Sequence, residues 1–344
     1  MVRAISMVNW ETFSGDKSQW DRLLLQSRDY IIFQSYCWGE LKRIGGWDAL
    51  RWIAHGVGGS PLAMVQILTR TLPGRITLGW APGGPVLLAP TVEKEQLSDI
   101  LTSLVEYGRR NFVRGLVRFS NMAAHEPLAS AAYEEIFKRP RHKVNSGRSL
   151  WLDLTLSMDE LYRRMTSKHR YYVKKASKEA FEWRACNEER SARDFSSLYR
   201  EMVARKKVSG WSGMGDISKL CRLLEDHACL FTGYRGNVPL SSCLVLLLGQ
   251  KAFYAMAASG EEGRKLGASY AMMPKLIYHL KSQGITLFDL GGIDPAHASA
   301  QGVDHFKKGF GGTSVEYLGE WEWSSSEWLR RGLNLAIKHK LGSQ

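Results

Sequence analysis

The chain has 344 residues, 44% hydrophobic and 11% aromatic, enough apolar material for packed cores and too much for extended disorder. No window approaches eighteen consecutive apolar residues, and polar and acidic groups interrupt the first twenty positions, so neither a membrane-spanning helix nor a signal peptide is expected. Five cysteines without regular spacing suit a reducing compartment, read as the cytosol, and a formal net charge of +13 suits nucleic acid, anionic lipid headgroups or phosphorylated small molecules without choosing among them.

In chain order, the first strong pattern is a hairpin. Arg51 to Val57 and Pro61 to Leu68 are apolar runs joined by Gly58-Gly59-Ser60. A strand follows at Arg75 to Trp80, then a helical pattern at Glu93 to Arg109 and a strand at Leu116 to Phe119. The polar stretch Asn145 to Ser149 marks a boundary. The plan then repeats: a hairpin at Cys229 to Arg235 and Val238 to Leu248 turns at Gly236-Asn237, followed by a strand at Ala252 to Ala257. A helix is expected from Gly267 to Lys281 and a strand at Leu287 to Leu290. The reading is an α/β protein of two similar mixed sheets flanked by helices, facing a cleft. The lobes are expected at 1–146 and 147–324, with an amphipathic tail at 325–344 packing on the first.

Charge is concentrated in one stretch that runs from the end of the first lobe into the second. Lys138 to Lys178 carries twelve Lys or Arg residues against three acids. Ser157-Met158-Asp159-Glu160 has the form of a capping box, so one helix is expected over 157–180. At about 100° per residue, Leu161, Met165, Tyr172, Val173 and Ala176 share a core face. Arg163, Arg164, Lys168, Arg170, Lys174, Lys175 and Lys178 fall opposite as a basic stripe almost without acids, a face suited to an anionic partner.

Several local patterns complete the picture. Gln34-Ser35-Tyr36-Cys37-Trp38-Gly39-Glu40-Leu41-Lys42 lies near the start, and Trp80-Ala81-Pro82-Gly83-Gly84-Pro85-Val86 follows a strand. Ser167-Lys168-His169-Arg170 continues the basic stretch. Phe288-Asp289-Leu290-Gly291-Gly292-Ile293 precedes Phe306-Lys307-Lys308-Gly309-Phe310-Gly311-Gly312. In this order and spacing the chain resembles the FemABX family of non-ribosomal peptidyltransferases, over about residues 30 to 320.

The resemblance implies two tandem GNAT acetyltransferase-like domains without a coiled-coil arm. It also implies transfer of an amino acid from aminoacyl-tRNA to the amine of a muropeptide, either soluble or carried on a membrane-linked precursor. It places Lys307 at the reacting centre, with Lys308 as the lesser candidate, and Lys42, Arg205 and Tyr254 at the acceptor. The basic stripe would then hold tRNA. The family pattern is broken at Ser209 and Met256, where aromatics are expected. Ester aminolysis needs positioning and a cation or donors for the oxyanion, so no cofactor or metal is expected. Cys221, His227 and Cys229, the one Cys/His cluster, lack ligand spacing.

Two alternatives stay open on the residues. Arg264-Lys265-Leu266-Gly267-Ala268-Ser269 resembles the phosphate-cradling turn of an acyl-CoA-dependent N-acyltransferase. The basic stripe also suits a non-catalytic module that binds RNA or an anionic surface.

Overall fold

The computed structural model describes residues 8–89, 93–206, 216–294 and 301–342. They form two compact units, 1–147 together with 316–344, and 148–315.

The first unit begins with β1 (Asn9–Thr12), α1 (Lys17–Leu24) and α2 (Tyr36–Ile44), then the antiparallel strands β2 (Asp48–His55), β3 (Pro61–Leu72) and β4 (Ile76–Pro82). Gly58 and Gly59 both have positive φ in the β2–β3 turn, a conformation that costs glycine little. The short β5 (Val86–Leu87) pairs with β3. Next, α3 (Lys94–Asn111) crosses over to β6 (Gly115–Ala124), which lies parallel to β4, and α4 (Pro127–Ile136) follows. The apolar spacing of α3 sends Leu97, Ile100, Leu101 and Leu104 into a core with Trp52, Ile67 and Phe119.

The second unit repeats this plan. It opens with β7 (Arg148–Asp153), α5 (Met158–Arg164), α6 (Ser167–Ala176), β8 (Glu182–Ala185), α7 (Glu189–Lys206) and α8 (Ile217–Leu224). The meander β9 (Ala228–Arg235), β10 (Val238–Leu248) and β11 (Lys251–Ser259) is antiparallel. After α9 (Glu261–Lys265) and α10 (Ala268–Ser282), β12 (Leu287–Gly292) returns parallel to β11. The chain continues through α11 (Gln301–Lys308), β13 (Thr313–Ser324) and α12 (Glu327–Gly342).

The strand orders within the two units match: β1-β2-β3-β4-β6-β13 in the first and β8-β9-β10-β11-β12-β7 in the second, all within one mixed sheet. Each has one parallel pair, crossed by a helix, and each ends on a strand antiparallel to the crossover strand. The doubled α/β plan is therefore as the sequence implies.

Two details differ from the sequence reading. The second unit closes at Val315 instead of 324, because Tyr317–Ser324 of β13 pairs with β6. The single helix expected over 157–180 is two helices. At Met165 the backbone is extended, and Thr166 starts α6 by accepting the His169 N–H on its hydroxyl. The capping box at Ser157 and Glu160 does start α5. Ser209 lies outside the described residues.

Candidate functional site

In the second unit, α11 carries Lys307 across the end of β12. The Lys307 Nζ donates to the Gly292 carbonyl at 2.7 Å. Gly291 beside it has φ +79°, and a Cβ there would stand 3.5 Å from the ammonium and 3.3 Å from the Tyr254 carbonyl. This turn is held by the buried Asp289. Its Oδ1 accepts the Gly291 N–H at 2.7 Å and the Ser149 hydroxyl, and its Oδ2 accepts the Trp151 Nε1–H at 3.0 Å. Asp289 caps the turn and also ties it to β7.

Burial lowers the Lys307 pKa from its ordinary value, while the charges of Asp289 and Asp304 oppose the shift. Asp304 is buried and accepts the Asp294 N–H at 2.9 Å. The result is a half-buried ammonium with one N–H on a main-chain carbonyl and two further N–H groups for a ligand. Lys308 is exposed.

Sequence reasoning missed the residue that seats α11. His169, on α6, is fully buried, and its Nε2 lies 3.0 Å from the Phe306 carbonyl. A carbonyl only accepts, so Nε2 carries the proton, and Nδ1 at 3.0 Å receives the Thr166 hydroxyl. Burial lowers its pKa and favours the neutral ring. The ring packs among Tyr270, Phe306 and Phe310. Gly309 leaves room for it, since a Cβ there would come within 1.9 Å of the imidazole. Gly311, with φ +79°, likewise lets the chain pass the Arg164 carbonyl. The glycines after Lys307 thus fit α11 onto the α5–α6 junction.

The three residues expected at the acceptor lie on other elements. The Tyr254 ring, on β11, packs edge-on against Phe288 at 6.0 Å in the core of the second unit, and burial pushes its pKa well up. Its main chain adjoins the Gly291 turn. Arg205 is exposed in the last turn of α7. Lys42 lies on α2 in the first unit, with Nζ 4.5 Å from the Trp38 ring centre. Burial lowers its pKa, and no carboxylate pairs with it among the described residues.

The neighbouring motif residues serve the scaffold. The Gln34 amide bonds to the Gln66 backbone N–H and C=O and to the Pro82 carbonyl, filling the space that Gly84 leaves. Gly39 lets α2 lie over Arg51 and Gln66.

Of the basic residues, Arg163, Arg164, Lys168, Lys174, Lys175 and Lys178 are exposed. Arg170 is different. Its Nη1 donates to the Arg163 carbonyl at 3.1 Å and to the Met165 carbonyl, closing the end of α5. On the core face, Leu161, Met165, Val173 and Ala176 are buried and Tyr172 is half-buried.

At Gly267, φ is +71° and α10 begins without a side-chain cap. The Ser269 hydroxyl turns inward to Ser259 at 2.7 Å, and Ala176 of α6 sits beside Gly267. Among the described residues no group of His, Cys, Asp and Glu could hold a metal ion. No helix among them is long and apolar enough to cross a membrane.

The doubled sheet with its crossover helices is a tandem GNAT-like fold. It superposes on the crystal structure of FemX with a TM-score of 0.80 at 18% identity, covering 94% of this chain and all of that one. A tandem GNAT protein from the clavulanic acid biosynthesis pathway superposes with a TM-score of 0.56 at 10% identity, over 93% of this chain and 99% of that one. Residues 219–338 match the FemAB family. Lipid II:glycine glycyltransferase of Staphylococcus saprophyticus is 26% identical over 110 residues, 31% of this chain. That match spans only 26% of the glycyltransferase. The FemABX resemblance read from the sequence is borne out by these findings.

Proposed function

We propose that this protein is an aminoacyltransferase that moves an amino acid from aminoacyl-tRNA to an amine of a peptidoglycan precursor. The observation that carries the reading is the half-buried Lys307 ammonium, fixed on the Gly292 carbonyl inside the segment that matches the FemAB family. The similarity to a lipid II:glycine glycyltransferase supports a peptidoglycan acceptor.

In the reaction, the neutral acceptor amine attacks the ester carbonyl carbon. A C–N bond forms, the bond to the tRNA ribose oxygen breaks, and the proton lost by the amine ends on that oxygen. Negative charge gathers on the carbonyl oxygen in between. Lys307 supplies a fixed cation for it in partly desolvated surroundings, where such a charge acts more strongly than in water. Lys42, desolvated and without a carboxylate partner among the described residues, suits an acceptor phosphate. Tyr254 and Arg205 are the further acceptor contacts of this reading, the first through the strand beside Gly291. The exposed cations of α5 and α6 suit the tRNA backbone. The five free cysteines agree with a cytosolic setting, and a membrane-linked precursor would be met peripherally.

The test offers total tRNA charged with labelled amino acids and a panel of peptidoglycan precursors, with labelled acetyl-CoA in parallel. Label passing from tRNA to a precursor, and stopped by prior RNase treatment, is the expected outcome. Transfer from acetyl-CoA alone would replace this reading with a CoA-dependent acyltransferase. Silence with both donors would leave the RNA- or anion-binding role.

A further inference from the structure

In the first unit, the last helix carries apolar side chains in water. Trp328 on α12 is 83% exposed and Leu335 is 55% exposed. Trp328 is the one exposed tryptophan among the described residues, the others being buried or half-buried. Seven positions apart on a helix, the two side chains stand about 20° from each other on one face. A lone exposed apolar residue is ordinary on a protein surface, but two aligned over two turns make a stripe.

This stripe points outward because the other side of the helix is tied down. Asn334, buried on that side, donates from Nδ2 to the Glu322 carboxylate and to the Arg330 carbonyl, both at 2.9 Å. Arg330 lies 3.6 Å from the same carboxylate, which Arg118 of β6 also binds. These bonds fix the rotation of α12 about its axis, so Trp328 and Leu335 cannot turn inward without breaking them.

The charge along the helix is mostly of one sign. Residues 327–342 hold Arg330, Arg331, Lys338 and Lys340 against a single acid, Glu327. Glu327 is already shared between Arg330 at 2.7 Å and Arg331 at 3.2 Å. Arg331, exposed, borders the apolar stripe. Across a cavity on that flank stand Arg139, paired with Glu134 at 3.3 Å, and the exposed Arg141.

We infer that α12 is a membrane-contact surface, laying Trp328 and Leu335 into the interface of an anionic lipid bilayer with Arg331 and Arg141 on the headgroup phosphates. An indole suits the boundary between headgroups and acyl chains, and a basic helix with one apolar stripe lies in that plane. Cations close to an anionic leaflet add to the attraction. A second copy of the chain fits this face less well. Two such side chains bury far less than the about 800 Å² per partner of a stable interface, and like charges would meet. RNA would take the cations and stack on the indole, but it would leave Leu335 in water. The surface lies on other elements than Lys307, and the inference does not rest on the proposed transfer.

Co-sedimentation of the full chain with vesicles tests it, comparing mixed phosphatidylcholine and phosphatidylglycerol with phosphatidylcholine alone. Binding to the mixed vesicles is expected, well above that to the neutral ones. The basic residues of α5 and α6 would also attract an anionic surface, so the apolar pair is tested by itself. Trp328→Ala with Leu335→Ala, both at exposed positions, should weaken binding at least about tenfold at unchanged net charge. Insertion has its own signature. Lipids brominated on their acyl chains should quench part of the tryptophan fluorescence, and Trp328→Phe should still bind but lose that quenching. No sedimentation with the mixed vesicles, or equal binding by the double variant, would overturn the inference. So would capture of an oligoribonucleotide, or self-association in sedimentation velocity, that needs Trp328 while vesicles stay unbound. Neither donor nor acceptor is present, so the result stands apart from that of the transfer assay.

Discussion

Lys307 and His169 divide the work at one end of α11. In the proposed reaction the first supplies the charge, and the second fixes the peptide unit just before it. Replacing Lys307 with Ala removes the ammonium and leaves the Asp289 turn intact. Turnover is expected to fall by about 2–4 kcal/mol of transition-state stabilisation, roughly 30- to 900-fold in kcat. Acceptor KM should change little, and steady-state kinetics checks both. Full turnover of the variant would exclude Lys307 from the chemistry. Gly309→Ala acts from the other side, since its Cβ would meet the His169 ring. Overpacking of this kind costs about 1–3 kcal/mol, so urea unfolding should show a lower midpoint, with turnover falling as α11 shifts. The Lys307 motif is legible in the sequence as a short run of Phe, Lys and Gly. The imidazole beneath it is not, because its partner carbonyl is 137 positions away.

At the scale of elements, the break between α5 and α6 separates cations that a single helix would have made equivalent. Lys174→Glu with Lys175→Glu should weaken tRNA binding. The slope of log affinity against log salt should become shallower by about one for each phosphate that the variant no longer neutralises. Filter binding over a salt series reads this directly, and an unchanged slope would remove these lysines from the RNA surface. Arg170→Ala should behave otherwise, costing about 1–2 kcal/mol of stability with the salt slope unchanged, because its guanidinium closes α5. Both caps are written in the sequence, but Thr166 sits inside a continuous amphipathic pattern, and that periodicity masks its capping role. The hairpins are easier to read, since Gly58-Gly59 and Gly236-Asn237 interrupt apolar runs at turn spacing. Asp289 reads locally as a turn cap. Its bonds to Ser149 and Trp151 depend on the pairing of β12 with β7, which no local pattern encodes.

For the molecule as a whole, His169 and His279 both have pKa values lowered by burial. The unfolded chain then takes up protons more readily than the folded one as pH drops below the ordinary imidazole value of about 6.5. Stability should be fully present above that value and decline as pH falls toward the depressed folded values. Melting temperatures measured between neutral and mildly acidic pH should fall, and His169→Gln, which keeps an N–H for the Phe306 carbonyl, should flatten part of the decline. An identical profile for the variant would remove His169 as a source of the dependence. The doubled plan is readable at this scale because each copy repeats the same succession of hairpin, strand, helix and strand. The exchange of closing strands is not, since nothing within β13, where glutamates alternate with apolar residues, or within β7 names the strand that each pairs with.

That exchange has a consequence for the order in which the protein is made. The second unit is continuous along the chain, and all six of its strands leave the ribosome together. The first unit is begun earliest and finished last. Until β13 emerges, β6 stands as an open edge, and Trp321 and Trp323 are missing from a core already waiting for them. A nascent chain of the first 147 residues is thus a template for wrong pairing, and the younger half of the protein is the first that can mature.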